Sequence, residues 1–345
     1  MKNLLTYFII CSTHPFIMLS FNLGYEQFAQ VELNPGTTRE AWYKKKLAEQ
    51  EKHLRDTIIA KLKISPDEWT ACLNKARESI AETEKEIKQQ IQDIRGNWIA
   101  DYNTGDMYKA EDPQKKLTDK EVLFTINDKK INKVKRILKD FGYSGEVVTL
   151  YPVEGESLTA YHKLISIRPD LFLYDTADQA FRLRHELSHI NNQDILFERA
   201  VKNCVAGLFR TDFDPAIHIK AEDSFDMTKL KEKNLTLDDF DQIHDLLLKT
   251  WWNFHEYRAD MDAVFALKNY KAFKKKIKDL DQIDGYPLDY HYSSAYAYPT
   301  RGANVHAPVA FIQDFIEGLI KDKKRSNKPK SKGISSVFRC CGFSG

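Results

Sequence analysis

The sequence predicts an α+β fold that is predominantly helical, with a small antiparallel sheet over one central helix and a helical region before it. Three observations predict this class. The 345-residue chain is 42% hydrophobic and 12% aromatic, enough to bury a sizeable core. Apolar residues recur at helical spacing over several capped segments, whereas residues 146–167 are rich in β-formers. This profile excludes disordered, collagen-like and polytopic membrane proteins.

Residues 1–29 begin with Lys2 and an apolar segment, as signal peptides do. His14 and Pro15 interrupt that segment, and the small-residue cleavage site after it is poor. A cleaved signal peptide and a membrane anchor stay open as interpretations. Both predict a protein that is membrane-associated or exported, to a periplasm, a cell envelope or the outside of a cell, and not a cytoplasmic one.

Residues 30–145 are expected to form a helical accessory region. Between 38 and 99 the apolar spacing predicts two long helices, which meet at a capping box made by Ser65 and Glu68 with Pro66 in the first helical position. These helices are predicted to form a core or a helical hairpin. A partner-binding coiled coil is the alternative, although the heptads are not sustained.

A second capping box, Thr118 with Glu121, predicts another helix that runs to about Phe141. The β-formers that follow predict strands at 146–153 and 158–167. A third cap, Thr176 with Gln179, then begins a helix that continues to about Asn192, and this helix carries the chemistry.

That helix contains His185-Glu186-Leu187-Ser188-His189, an H-E-x-x-H motif. Histidines four residues apart project from one helical face and can bind one zinc ion, while the glutamate between them lies beside the metal's water. Leu183 and Leu187 lie on another face, which would anchor the helix in a core. Two solvated or buried histidines without a metal are the alternative interpretation.

Catalytic zinc needs a third protein ligand, and Glu256 offers one. It lies in an aromatic segment at 251–260, after a helix predicted from the capping box of Thr236 and Asp239. Asp260 shares its helical face and is predicted to accept a hydrogen bond from a ligand histidine. We therefore predict one zinc ion per chain, bound by His185, His189 and Glu256. The neighbouring His255 points to a different face and is left outside the predicted site.

The segments HELSHINNQD and EYRAD resemble gluzincin metallopeptidases, and most closely the heat-shock membrane peptidase and CAAX-prenyl-protease family, metallopeptidase family forty-eight. The resemblance implies a zincin-like catalytic domain, here residues 146–320, in which Glu186 is the general base and Asp260 supports a ligand. It also implies an edge strand that receives the substrate backbone by β-augmentation, formed by Leu164, Ile165, Ser166 and Ile167. The multi-span membrane body of the best-known members is absent, and the region before residue 145 has no counterpart, so the substrate does not carry over.

In the implied mechanism zinc acidifies its bound water and polarises the scissile carbonyl, while Glu186 takes the water proton and passes it to the leaving amine. A further donor must hold the oxyanion. Tyr298, Arg301 and His306 are candidates, because they lie where related enzymes often place such groups. An aromatic loop that packs on the core is the alternative for this segment.

The five cysteines are scattered and show no C-x-x-C spacing; they are Cys11, Cys72, Cys204, Cys340 and Cys341. We predict neither a disulfide framework nor a thiolate zinc site. The three cysteines outside the C-terminal tail are expected to pack as small buried hydrophobic side chains.

The charge is concentrated at the C-terminal end. The whole chain carries a formal +2, but residues 321–345 contain eight basic residues and one acid. The body is therefore slightly acidic and offers no basic stripe, so we predict no nucleic-acid partner. Residues 321–345 are expected to form a disordered basic tail, whose Cys340 and Cys341 leave lipid attachment to a membrane open.

The predicted function is that of a zinc metalloendopeptidase acting on protein or peptide substrates. Two alternatives stay open, a non-catalytic interaction protein with a structural zinc site and a zinc hydrolase of a non-peptide amide. Glu186 distinguishes the peptidase from the non-catalytic interaction protein, since a structural zinc site needs no base beside the metal. Substrate profiling would distinguish the second. No oligomeric state is predicted.

Overall fold

A computed structural model describes residues 38–101, 107–112, 116–149, 158–160, 163–206, 226–267, 317–322 and 324. Its helices are α1 (Arg39–Lys61), α2 (Pro66–Gln89), α3 (Asp128–Asp140), α4 (Thr176–Asn192), α5 (Asp194–Ala206), α6 (Met227–Glu232), α7 (Leu237–Asp245) and α8 (Trp252–Ala266). Its strands are β1 (Gly96–Asp101), β2 (Met107–Lys109), β3 (Glu121–Ile126), β4 (Glu146–Thr149), β5 (Leu158–Ala160) and β6 (Leu164–Ile167). The predicted class, α+β and mostly helical, is confirmed for these residues.

The two helices of the N-terminal region meet as predicted. The Glu68 amide donates to the Ser65 hydroxyl at 3.2 Å, and the Ser65 amide donates to the Glu68 carboxylate at 2.7 Å. Pro66 is the first residue of α2. Because all these contacts lie within one turn, this capping box could be predicted from sequence alone.

The second predicted helix ends earlier than expected, at Gln89. Trp98 falls within the range predicted for this helix but lies in strand β1, where it is fully buried. Gly96 begins that strand with φ +125°, a backbone conformation that ends helical continuity. Strand β1 is stabilised by antiparallel pairing with β2 on one side and β3 on the other, which helical spacing cannot reveal.

The helix predicted from Thr118 and Glu121 is wrong over its first part. Glu121 begins strand β3, and the Thr118 amide donates to its carboxylate at 2.9 Å in a turn. The alternating β-formers of β3 pair along β1 instead. The helix of this region, α3, starts after Asn127, whose side chain accepts from the Lys130 amide.

The second sheet has the order β4-β6-β5 and is mixed, with β6 parallel to β4 and antiparallel to β5. The prediction that Leu164–Ile167 is an edge strand is therefore wrong, because β6 is hydrogen-bonded on both sides. All four of its side chains are buried, at 0–3% exposure. A short continuous apolar strand is typical of a sheet centre. The sheet predicted over the central helix is therefore only partly antiparallel, whereas the β2-β1-β3 sheet, which was not predicted, is antiparallel throughout.

Helix α4 packs between two hydrophobic cores. Phe181 contacts the larger core, which α1, α5, α7 and α8 form around the fully buried Trp251. Leu183 and Leu187 contact the other core, which β6 and α3 share. Both flanks of α4 are thus held, and the histidines of its remaining face are set against α8.

Cys72 and Cys204 form a disulfide, with their Cα atoms 5.7 Å apart. The prediction that they pack as separate hydrophobic side chains is wrong. The bond joins α2 to α5, which pack together along Ala76, Ile80, Leu196 and Ala200. The partners are 132 residues apart in sequence, so no local spacing marks them. The other three cysteines lie outside the described residues.

No described helix combines the length and the apolar content that crossing a membrane requires. The N-terminal segment at 1–29 lies outside the described residues, as does most of the C-terminal tail. At the start of that tail, residues 321–322 continue a helix that begins at 317, and Asp322 pairs with Arg39 at 3.3 Å.

Candidate metal centre

Helix α4 is capped one residue earlier than predicted, at Asp175 instead of Thr176. Asp175 is the N-cap, and its carboxylate accepts from the amides of Ala177 and Asp178 at 2.8 and 3.1 Å. The side chain of Gln179 instead donates to the carbonyls of Leu171 and Tyr174. The helix ends at Asn192, as the sequence predicts. Its start is therefore anchored to the segment that leaves β6.

Helix α8 follows α7 through a π-helical turn at Leu246–Trp251. The capping box predicted for α7 is confirmed, since the Asp239 amide donates to the Thr236 hydroxyl at 3.1 Å and the Thr236 amide donates to the Asp239 carboxylate at 3.0 Å. Trp251 lies in the core, and α8 packs along α4. This packing brings Glu256 opposite the two histidines.

Three ligand atoms converge on one point. His185 Nε2 lies 3.1 Å from His189 Nε2 and 3.1 Å from Glu256 Oε2, and His189 Nε2 lies 3.6 Å from the same oxygen. Zinc bonds of about 2.0–2.1 Å at tetrahedral angles require ligand atoms about 3.3 Å apart. The three atoms therefore have the separation and the N,N,O chemistry of a zinc site.

The other nitrogen of each imidazole is bound to a carboxylate. His185 Nδ1 lies 2.9 Å from Asp260 Oδ1, and His189 Nδ1 lies 2.9 Å from Asp194 Oδ2. A carboxylate at Nδ1 holds the proton there and turns the lone pair of Nε2 toward a metal. The structure thus places Asp260 beside His185. The role of Asp194 was not predicted from the sequence, although Asp194 lies only five residues after His189.

The electrostatics of the cluster favour a cation. Burial alone lowers the pKa of His185, but its hydrogen bonds to Asp260 and Glu256 outweigh burial and raise that pKa well above 6.5. Burial also lowers the pKa of His189, yet the charge of Glu256 and the bond to Asp194 raise it to about 10. Burial raises the pKa of Glu256, but the nearby histidines lower it well below 4.5. Protons and a divalent cation compete for this anionic site.

Asp194 belongs to a buried network that reaches the N-terminal helix. Its carboxylate pairs with Arg258 on α8 and lies 3.4 Å from Arg55 Nη2 on α1. The same nitrogen of Arg55 donates to the Asn192 carbonyl, at the end of α4, at 2.8 Å. Glu51 joins both arginines, at 2.9 Å from each. Helix α1 therefore contacts the groups that hold His189.

His255 lies in the site, contrary to the prediction that excluded it. Its Nε2 is 3.3 Å from Glu256 Oε1, and its ring centroid is 5.1 Å from that of His189. The contact to Oε1 leaves Oε2 to face the other two ligand atoms. With His189 and Asp194 it also forms a second group of potential ligand atoms, which shares His189 with the first. The signal in the sequence was that His255 directly precedes Glu256. The prediction that it points away from the site considered only its angle around the helix.

Glu186 follows His185 on α4 and is half-buried. The proposed oxyanion donors Tyr298, Arg301 and His306 lie outside the described residues. Comparison of the chain with protein-family models, with curated proteins and with solved structures finds no match in any of the three.

Proposed function

We propose that this protein is a zinc-dependent endopeptidase with a zincin-like catalytic domain of the gluzincin type. One observation carries the proposal, the convergence of His185 Nε2, His189 Nε2 and Glu256 Oε2 at distances of 3.1, 3.1 and 3.6 Å. Two histidines and a glutamate are the ligand set of catalytic zinc in metallopeptidases. The resemblance to metallopeptidase family forty-eight supports the same function.

When bound, zinc supplies Lewis-acid polarisation of a carbonyl and a water acidified toward neutral pH. Glu186 would act as the general base, taking a proton from the attacking water and passing it to the leaving amine. Asp260 and Asp194 keep the two imidazoles oriented, and His255 holds the free oxygen of Glu256. In this proposal Glu186 transfers the proton, while Asp260, Asp194 and His255 position the ligand side chains.

An extended substrate would add to an edge of the β4-β6-β5 sheet. Among the described residues its two edge strands are β4 and β5, and β5 lies beside α4. Strand β5 is therefore the edge that can hold a substrate backbone beside the metal helix, since unpaired main-chain groups bind an added strand.

A catalytic zinc agrees better with the site than a structural one. Structural zinc has four protein ligands, whereas catalytic zinc has three and an open position. In the described part of the chain three ligand atoms face the same point, and the Glu256 side chain keeps 22% of its surface exposed. These features favour the enzyme over the interaction protein.

Export or membrane association is proposed as well. The Cys72–Cys204 disulfide supports it, because disulfides persist in oxidising compartments. The apolar N-terminal segment supports it too.

Zinc content and cleavage test the proposal together. Wild type, His185→Ala and Glu186→Gln would be analysed for zinc, and each would be incubated with unfolded casein. We expect about one zinc per chain in wild type and Glu186→Gln, loss of zinc in His185→Ala, and cleavage by wild type alone. Wild-type protein without zinc would overturn the site, and zinc-loaded wild type that cleaves no peptide would overturn the peptidase.

A further inference from the structure

Neither arginine of the metal-binding helix has an anionic partner in the described part of the chain, and Arg182 is the more deeply buried of the two. Arg182 is 7% exposed, and neither of its Nη atoms meets a hydrogen-bond acceptor there. Buried arginines are normally paired, because removing a charge from water is costly. The guanidinium of Arg182 therefore has unused binding capacity.

Arg182 lies on the face of α4 that carries the metal ligands. Residues advance about 100° around a helix, so Arg182 is about 20° from His189 and about 40° from Glu186. The opposite face of the helix, with Leu183 and Leu187, is buried in the hydrophobic core beside β6. By helical spacing, Arg182 therefore projects from the same face of α4 as the two ligand histidines.

The guanidinium is also held in a defined orientation. Its Cζ lies 3.9 Å from the centroid of the Tyr174 ring. Stacking on an aromatic ring engages the face of the guanidinium and leaves the N–H donors in its plane unused. A planar fork of donors matches the two oxygens of a carboxylate. The site is therefore prepared for a carboxylate rather than for a neutral apolar group.

We propose that Arg182 binds a carboxylate of the substrate, so that the protein selects peptides with an acidic group near the scissile bond. This inference rests on the proposed peptidase function. Arg182 precedes His185 by one turn, about 4.5 Å along the helix axis. An extended peptide advances about 3.3 Å per residue, so the acidic group lies within about three residues of the cleaved bond. An Asp or Glu side chain and a C-terminal carboxylate both have the required chemistry.

The test uses the full chain as wild type, Arg182→Met, Arg182→Lys and Arg184→Met. Methionine keeps an apolar stem over Tyr174 and removes the charge. Arg184 is a matched control, because it is a cation of the same helix that faces the Phe141 ring instead, at 5.9 Å. Thermal unfolding verifies that each variant is folded.

Cleavage sites in unfolded casein, mapped by mass spectrometry, first locate the preferred acidic position. Dye-labelled peptides that differ there only as Glu or Gln are then compared, together with a pair that ends in a free carboxylate or an amide. We expect kcat/KM to favour one carboxylate over its amide by about 10- to 100-fold in wild type and Arg184→Met. The preference should fall to about onefold in Arg182→Met and be partly kept in Arg182→Lys.

Wild type that cleaves the acid and amide peptides equally would overturn the proposal, as would an Arg182→Met variant that keeps the preference. A preference confined to either pair supports the proposal and identifies the source of the carboxylate.

Peptide binding separates this inference from the peptidase itself. In the Glu186→Gln background, fluorescence anisotropy should show the preferred acid peptide bound at least tenfold more tightly than its amide, with the difference lost on Arg182→Met. Such binding without any cleavage in wild type would overturn the peptidase and support the carboxylate site. Cleavage without any preference for the acid peptide would support the peptidase and overturn the carboxylate site.

Discussion

The two histidines that face the metal position are supported by different regions of the molecule. His185 is held by Asp260, which lies on the same helix as Glu256. His189 is held by Asp194, which is itself bound by Arg258 on α8 and approached by Arg55 on α1. The carboxylates of both supports lie within the two segments HELSHINNQD and EYRAD or at their ends. Only the second support also extends to Arg55, on a helix that precedes the first segment by more than a hundred residues.

This difference shows that α1 contacts the groups behind the candidate metal site. The region before residue 145 has no counterpart in the family that the motifs resemble, yet Arg55 reaches the end of α4 and the carboxylate behind His189. Helix α1 thus adds contacts from outside the two segments to a support whose carboxylate lies inside them. Loss of either support should weaken zinc binding. Only loss of the second should also weaken the packing of helix α1 against the rest of the molecule.

The largest effect is expected from Asp194→Asn. This change weakens two charge-assisted bonds, one to His189 and one to the buried Arg258, which keeps Glu51 as its remaining carboxylate partner. The free energy of unfolding should therefore fall by about 3–5 kcal/mol. Zinc affinity should fall about 10- to 100-fold. Asp260→Asn is the matched change: it should cost similar zinc affinity but less stability, because the Arg258–Asp194 pair stays intact.

Urea unfolding with a chelator present measures the stability of both variants, and competition with a zinc indicator measures their affinity. Equal stability losses for Asp194→Asn and Asp260→Asn would contradict the distinction between the two supports.

Opposite pH trends are expected with and without zinc. In the metal-free protein the pKa of His189 is raised from 6.5 to about 10. The stabilisation from this shift is fully present below pH 6.5 and is lost as pH rises toward 10. Zinc requires deprotonated imidazoles, so its affinity should rise over the same range, by up to about tenfold per pH unit for each proton released.

Thermal unfolding between these pH values, with chelator or with buffered free zinc, would show the two trends. Metal-free protein should lose thermal stability as pH rises, while the increment added by zinc grows. A zinc increment that stays constant with pH would argue against histidine ligation.

A smaller effect is expected from Arg55→Met. Methionine keeps contact with the rings of Phe197 and Trp251, which lie 4.4 and 4.5 Å from the guanidinium, but it removes the bonds to Asn192 and Asp194. We expect zinc affinity to fall about tenfold and stability by about 1–3 kcal/mol. Lys52→Met is the control on the same helix, since the Lys52 side chain is 80% exposed.

The same indicator competition and urea unfolding apply to both α1 variants, and Lys52→Met should match wild type to within about 1 kcal/mol. Wild-type zinc affinity in Arg55→Met would show that α1 packs near the site without supporting it.

Much of the helical structure could be predicted because its signals are local. The capping boxes at Ser65 and Thr236 involve residues within one turn, and so do the spacings of His185 with His189 and of Glu256 with Asp260. The strands were harder to predict from the sequence. Trp98 and Glu121 were assigned to helices because their spacing and caps allow it, whereas pairing between distant strands decided otherwise.

By itself, the sequence determined the candidate ligand residues, the helix that presents the two histidines and the predominantly helical class, since each depends on residues three or four positions apart. Only the tertiary structure decided that Asp194 supports His189, that His255 contacts Glu256, that β6 is central and that Cys72 meets Cys204. These contacts join residues through packing and hydrogen bonding between separate elements. Their geometry depends on how helices and strands come together, which no local spacing records.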